Sequence, residues 1–275
     1  MVEPDFDDMD TASSYGRYAA FSQKELAFED ALNGVRRAVH EDHFKLMAGL
    51  LNARDAQQRG ATIMTRTKVC SATRVGDHWD IILQGAHGTR TITAKAIVNA
   101  GGPWVENILR GVARLDTTEG IRLVRGSHIV TRKLYDHDKC YFFQGTDGRI
   151  IFMIPYETDF TLIGTTDAEH DDVSKKPECT PEEQSYLVDF ASKYLKTPVT
   201  TDDIVWTYSG VRPLYDDGAT SATAATRDYV LKMNETAGAP MLNIFGGKIT
   251  TYRKLAEAAM EKIEPFFANV GKPWT

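Results

Sequence analysis

The sequence predicts an α/β fold with α+β character, made of part of a doubly wound sheet and a separate antiparallel sheet. Three observations carry this. The apolar run "AIVNA" passes straight into Gly101-Gly102-Pro103 and a short helical stretch, as at the strand ends of a doubly wound sheet. The segments "GIRLVRGSHIVT", "CYFFQ", "RIIFMIPY" and "FTLIGTTD" are short, rich in Ile, Phe, Val and Thr, and divided by polar turns, which suits antiparallel pairing. Two longer segments carry apolar residues at helical spacing, one near residue 50 and one from about Thr250.

Taken in order, residues 1–24 are acidic and Ser-rich and read as a loose tail. "EDHFKLMAGLLNARDAQQRG" predicts a helix with Phe44, Met47, Leu50, Leu51 and Ala53 on its apolar face and Gly60 as its stop. "ATIMTRTKVCSATRVGDHWDIILQG" predicts two strands joined at Val75-Gly76-Asp77, and "TRTITAKAIVNA" supplies more strand. After the antiparallel segments, "TPEEQSYLVDFASKYL" predicts a helix. Thr180 is its N-cap, Pro181 its first helical residue, and Glu183 completes a capping box. "DIVWTYSGVRPL" reads as a strand entering a Gly-bearing bend, and "DYVLKM" and "PMLNIF" as a hairpin. The last helix places Tyr252, Leu255, Ala259, Ile263 and Phe266 on one face. The expected units are 25–40 with 119–240 for the antiparallel sheet, and 41–118 with 241–275 for the doubly wound part.

Composition excludes several classes. A net charge of -6 leaves no overall basic footprint for nucleic acid. No apolar run reaches the length of a membrane span, and the acidic N-terminus is not a secretory signal. Cys70, Cys140 and Cys179 are odd in number and far apart, which suggests neither a disulfide framework nor a metal site and fits a reducing, cytoplasmic compartment.

Four motifs can carry chemistry, and each has a plainer alternative. Gly101-Gly102 permits a sharp turn and close approach of a ligand, or merely a tight connection. Arg212 lies two residues after Gly210 and before Pro213, which holds the backbone extended. Its guanidinium can fork onto a carboxylate or phosphate, or pair with a nearby acid such as Asp216 or Asp217. His128 in "GSHIV" can accept a proton if it faces a cleft, or serve as a satisfied core residue. In "FGGKITTYRK", Gly246, Gly247 and Lys248 precede a helix, with Thr250 or Thr251 as cap. That assembly suits an anion, whether a phosphate or a heterocycle that turns negative on reduction. It lacks the P-loop spacing, and an ordinary glycine turn is its alternative.

Together, "NAGGPWV", "IRLVRGSHIV", "FMIPY", "LIGTTD", "DIVWTYSGVRPL", "TRDY" and "FGGKITTYRKLAE" resemble, in order and spacing, the FAD-dependent glycerol-3-phosphate dehydrogenases, whose fold is of the D-amino-acid-oxidase type. The likeness is close from about Ala61 to Thr275. It implies FAD as cofactor, sn-glycerol 3-phosphate as substrate, dihydroxyacetone phosphate as product and a membrane quinone as electron acceptor. It implies peripheral contact with the inner face of the membrane, and leaves a homo-oligomer open. By the same resemblance, 25–40 with 119–240 serve the substrate and 41–118 with 241–275 the flavin. Arg212 grips phosphate, Lys248 lies near the reacting oxygen or the flavin, and His128 takes the hydroxyl proton. Gly101, Gly102, Gly210, Gly246, Gly247, Lys248 and Thr250 lie along FAD.

One departure is marked. No G-x-G-x-x-G occurs in the 275 residues, so the pyrophosphate cradle of the family is expected to be missing, as is an arginine its N-terminal region brings to the substrate. The chain ends where longer relatives continue into a helical domain. It therefore reads as an incomplete form, inactive and colourless alone. The alternatives are a flavin oxidase acting on glycerol phosphate or an amine, and a non-catalytic remnant. Comparing acceptors separates the first, and flavin absorbance the second.

Overall fold

The computed structural model describes residues 40–145, 148–218, 228–235 and 238–268. The expected tail over 1–24 and the strand expected from residue 25 lie outside the described residues. In chain order come α1 (His40–Gln58), β1 (Lys68–Val75), β2 (His78–Gly85), β3 (Gly88–Ala94), β4 (Ile97–Asn99) and a short α2 (Val105–Asn107). Then follow β5 (Ile121–Arg132), β6 (Tyr141–Gln144), β7 (Ile150–Tyr156), β8 (Phe160–Gly164), β9 (Ala168–Glu169) and α3 (Pro181–Ser192). β10 (Ile204–Tyr215), β11 (Val230–Asn234), β12 (Met241–Phe245) and α4 (Tyr252–Ile263) complete the chain.

These elements form two compact units. The first holds the described residues to Ile63, His128–Thr165 and Cys179–Tyr208. The second holds Met64–Ser127, Thr166–Glu178 and the described residues from Ser209. The boundaries differ from those expected: 119–127, 166–178 and 209–240 fall with 64–118, and 41–63 fall with the antiparallel sheet. Strand length accounts for the divisions at residues 127 and 208, which fall inside β5 and β10. β5 and β10 each run 12 residues, about twice the usual ~5–6, so each contributes to both units.

In the first unit the antiparallel order is β10-β5-β8-β7-β6. Alternation along β7 sorts the faces: Ile151 and Met153 are buried, whereas Phe152 points out. Ile129, Ile151, Met153 and Ile163 pack with Leu187, Val188, Phe190 and Ala191 of α3. The capping box of α3 forms as expected. Thr180 Oγ1 accepts from the Glu183 N–H at 3.3 Å, and Glu183 Oε2 accepts from the Thr180 N–H at 2.9 Å. In α1, Leu50, Leu51 and Ala53 are half-buried or nearly so, while the side chains of Phe44 and Met47 lie outside the described residues.

The second unit holds two sheets. β1-β2-β3 is an antiparallel meander whose Trp79, Ile81 and Leu83 pack on Val105, Leu109, Met241 and Phe245. The strand expected over "TRTITAKAIVNA" divides into β3, in the meander, and β4, in the other sheet. That sheet has the order β11-β12-β4. β11 and β12 form the expected antiparallel hairpin, and β12 runs parallel to β4 with Met241 opposite Ile97 and Asn243 opposite Asn99. Ala259 and Ile263 of α4 pack on Leu242 and Ile244. Tyr252 and Phe266 are exposed, contrary to expectation. The helix ends at Ile263, and Pro265 in the following 3₁₀ turn takes Phe266 off the helical face.

Candidate functional site

In the second unit, two neighbouring parallel strands end in glycine pairs. β4 leads to Gly101-Gly102 and β12 to Gly246-Gly247. Ligands of open α/β sheets bind outside such carboxyl ends. Gly102 adopts φ +53° with open space where a Cβ would project, and Pro103 is the second residue of a 3₁₀ turn over Gly102–Trp104. Gly101 is closely packed: a Cβ there would lie 2.5 Å from Ile108 Cδ1, which would have to move aside, and 3.3 Å from the Val105 nitrogen.

The second pair is left-handed throughout, with φ +71° at Gly246 and +105° at Gly247. A Cβ on Gly246 would sit 3.0 Å from the Asp228 carbonyl oxygen and 3.6 Å from that of Pro213. The strand bearing Arg212 therefore runs against this turn. Gly247, Lys248 and Thr250 are exposed. The expected threonine cap does not form. Thr250 lies in a 3₁₀ turn over Ile249–Thr251, and Thr251 Oγ1 donates backward to the Lys248 carbonyl at 3.2 Å. Thr251 stands at the N-cap of α4 with its hydroxyl turned back to Lys248, so the helix N-terminus has no side-chain cap. Those amides keep their partial positive charge.

Arg212 pairs with Asp167, an acid 45 residues away in the chain. Its Nη1 donates to Asp167 Oδ1 at 2.8 Å and to the Thr166 carbonyl at 3.4 Å. Gly126 lets the guanidinium lie against the β5 backbone, because a Cβ there would come within 2.6 Å of Cζ. β10 continues unbroken through Gly210, where a bend was expected, and open space lies beyond that glycine. Farther along β10, the Tyr215 hydroxyl donates to Glu119 Oε2 at 2.5 Å, and that bond to a carboxylate raises the tyrosine pKa.

His128 belongs to the first unit. It lines a cavity of about 340 Å³ with Phe152, Ile154, Leu162, Gly164 and Thr165. Its ring stacks on Tyr208 with centroids 4.7 Å apart and planes 5° from parallel. Gly164 and Phe152 share its row across β5, β8 and β7, and only a glycine at 164 leaves room for the imidazole.

Against known proteins, the family model for FAD dependent oxidoreductases matches residues 19–253. The chain belongs to that family. A D-erythritol 1-phosphate dehydrogenase of Brucella abortus is 42% identical over 236 residues, which are 85% of this chain and 47% of the relative. A glycerol-3-phosphate dehydrogenase of Pseudomonas aeruginosa is 43% identical over 228 residues, 82% of this chain and 44% of the relative. The crystal structure of a glycerol-3-phosphate dehydrogenase from Bacillus halodurans complexed with FAD superposes with TM-score 0.62 at 28% identity, covering 80% of this chain and 42% of that one. The chain thus spans about half the length of the curated relatives it matches.

FAD is the cofactor of the family, and the second unit fits part of it. Two adjacent parallel strands deliver accessible glycine backbone, an uncapped helix N-terminus and Lys248. Residues passed over in the sequence support the strand ends and Arg212. Asn99 and Asn243 are buried amides inside apolar strands, and Asp167 closes "LIGTTD". A lone Asn within an apolar strand was the available signal for the first two.

Proposed function

We propose that these residues serve the FAD-dependent oxidation of sn-glycerol 3-phosphate to dihydroxyacetone phosphate. The observation that carries the reading is Arg212, part-exposed and ion-paired at the strand that abuts the Gly246–Lys248 turn. The names of the Pseudomonas and Bacillus relatives support the substrate. Arg212 presents a planar fork to the phosphate dianion. Lys248 supplies positive charge near the reacting oxygen, and the α4 N-terminus adds its dipole. His128 takes the proton of the C2 hydroxyl as the carbonyl forms. When bound, FAD supplies the two-electron acceptor for the hydride leaving C2. The glycines at 101, 102, 210, 246 and 247, with Thr250, lie along it. In this reading the flavin role falls to 41–118 and 241–275 and the substrate role to 25–40 with 119–240. Quinone as final acceptor, peripheral contact with the inner face of a membrane, and a homo-oligomer belong to the same reading. Among the described residues no helix is long and apolar enough to cross a membrane.

A longer polyol phosphate is the second reading, because the Brucella relative is as similar as the Pseudomonas one. Protein isolated from its native cells, mixed anaerobically with each candidate, tests both. Bleaching of the flavin band by glycerol 3-phosphate is expected. Bleaching by erythritol phosphate alone selects the second reading. Bleaching by an amino acid and by neither phosphate overturns both.

A further inference from the structure

We propose that Asp167 is a positioning residue for the anion site, holding the Arg212 guanidinium in the orientation that meets a phosphate. The inference rests on the reading of Arg212 given above. A free arginine side chain loses rotamer freedom whenever it binds a ligand. Here much of that freedom is already gone. Nη1 is held by Asp167 Oδ1 at 2.8 Å and the Thr166 carbonyl at 3.4 Å, and the guanidinium lies against Gly126. The holding segment is itself fixed. The Ser127 N–H donates to Thr166 Oγ1 at 2.9 Å, the Thr166 N–H donates to the Ser127 carbonyl at 3.2 Å, and the hydroxyls of Ser127 and Ser209 lie 2.8 Å apart. Three stretches of chain around residues 127, 166 and 210 are thereby locked about one guanidinium.

Burial gives the arrangement a direction. The Asp167 side chain is 10% exposed and that of Arg212 is 30%, so the carboxylate is the inner partner and the guanidinium the outer one. A carboxylate so placed cancels part of the charge that would draw an anion. An arrangement selected for attraction alone would omit it. What Asp167 supplies is orientation of a planar fork, which a phosphate reads through paired donors.

Orientation and charge make opposite predictions. Asp167→Asn keeps an acceptor at Oδ1 and removes the charge, whereas Asp167→Ala removes both. The test is a titration of the full ¹⁵N-labelled chain with inorganic phosphate, following the Arg212 Nε–H resonance. Thermal unfolding identifies the variants that fold. If Asp167 positions Arg212, the Ala variant raises Kd about tenfold, the size of one charged hydrogen bond, and Asn restores most of the loss. If the Ala variant does not fold, the Asn variant decides, with Kd raised about threefold supporting the proposal. Unchanged or tighter phosphate binding in both variants overturns it. Arg212→Ala is the control that separates the two readings. Unchanged binding there removes the anion site altogether. Lost binding there, with Asp167 variants unaffected, removes only the positioning role.

Discussion

Asn99 and Asn243 meet across the parallel pair β4 and β12, with Asn99 Nδ2 donating to Asn243 Oδ1 at 3.0 Å. Both are buried. The same Nδ2 also donates to the Val105 carbonyl at 3.0 Å, and Asn99 Oδ1 accepts from the Gly101 N–H at 3.2 Å. One side chain therefore ties a strand to its neighbour, to the glycine turn that follows, and to the helix beyond. Polar burial here is repaid by the geometry of a strand end at which the family's cofactor is expected.

Asn99→Ala should destabilise the protein by about 1–3 kcal/mol, since it removes the buried donor to Asn243 Oδ1 and one of the two bonds at the Val105 carbonyl, which keeps the one from the Ile108 N–H. Urea unfolding measures this. Asn99→Asp should be no rescue, because it replaces a donor with a charge. A loss below about 0.5 kcal/mol in the Ala variant would mean that water takes over the bonds.

The two glycine pairs separate backbone need from crowding. Gly102→Ala meets open space, so only its φ of +53° opposes the change, at about 1–2 kcal/mol. Gly246→Ala has the same handedness problem and also drives a Cβ to 3.0 Å from the Asp228 carbonyl oxygen. It should cost more than Gly102→Ala in the same denaturation assay. Equal costs would show that the 228 segment yields freely.

These contrasts mark what sequence alone conveys. Periodicity and turn residues located the strands and the Thr180 capping box, because those signals act within a few residues. The glycine pairs were visible for the same reason. Asp167 was not assigned as the partner of Arg212, since the two are 45 residues apart and nearer acids at 216 and 217 compete on paper. The compact units divide the chain differently from the expected regions, because a long strand reads like any other until its two ends enter different cores. Thr250 or Thr251 read as a cap, but Thr250 lies inside a 3₁₀ turn and the Thr251 hydroxyl bonds back to the Lys248 carbonyl.

Gly164→Ala should disturb the His128 cavity. A Cβ there would lie 2.7 Å from the His128 Cγ and 2.9 Å from Nε2, closer than real contacts allow. The imidazole must leave its stack on Tyr208, or the strand must shift, at about 1–3 kcal/mol. Shifted His128 ring-proton resonances with a lowered Tm are expected. Unmoved resonances would show that the strand, not the ring, gives way.

Acid should expose a local cap. The Thr200 N–H donates to Asp203 Oδ2 at 2.7 Å and the Thr200 hydroxyl donates at 2.8 Å. Those bonds, the backbone one foremost, hold the Asp203 carboxyl below its ordinary range. A depressed folded pKa contributes stability that is fully present above the unfolded value of ~3.9 and is lost as pH falls through the folded value. Asp203→Asn should therefore flatten the fall of stability below about pH 4. Identical acid profiles for the two proteins would assign that fall to other carboxylates.

Arg212→Lys is the sharpest test of the functional reading. The substitution keeps one positive charge and shortens nothing essential in the stem, so long-range attraction for a phosphate survives. What it removes is the planar pair of donors, one edge of which is committed to Asp167 while the outer side remains part-exposed. An ammonium drawn to the Asp167 carboxylate at 2.8 Å would turn its charge inward and leave little for a ligand. In protein isolated from cells expressing the variant, kcat/KM for glycerol 3-phosphate should fall by at least ~1–3 kcal/mol in transition-state binding. Stability should change little, because Lys still satisfies the carboxylate. An ion pair that merely joined β10 to the 166–178 segment predicts the reverse pattern: altered stability and unchanged kcat/KM. Measuring both quantities on the same preparation decides between a ligand-binding arginine and a structural one.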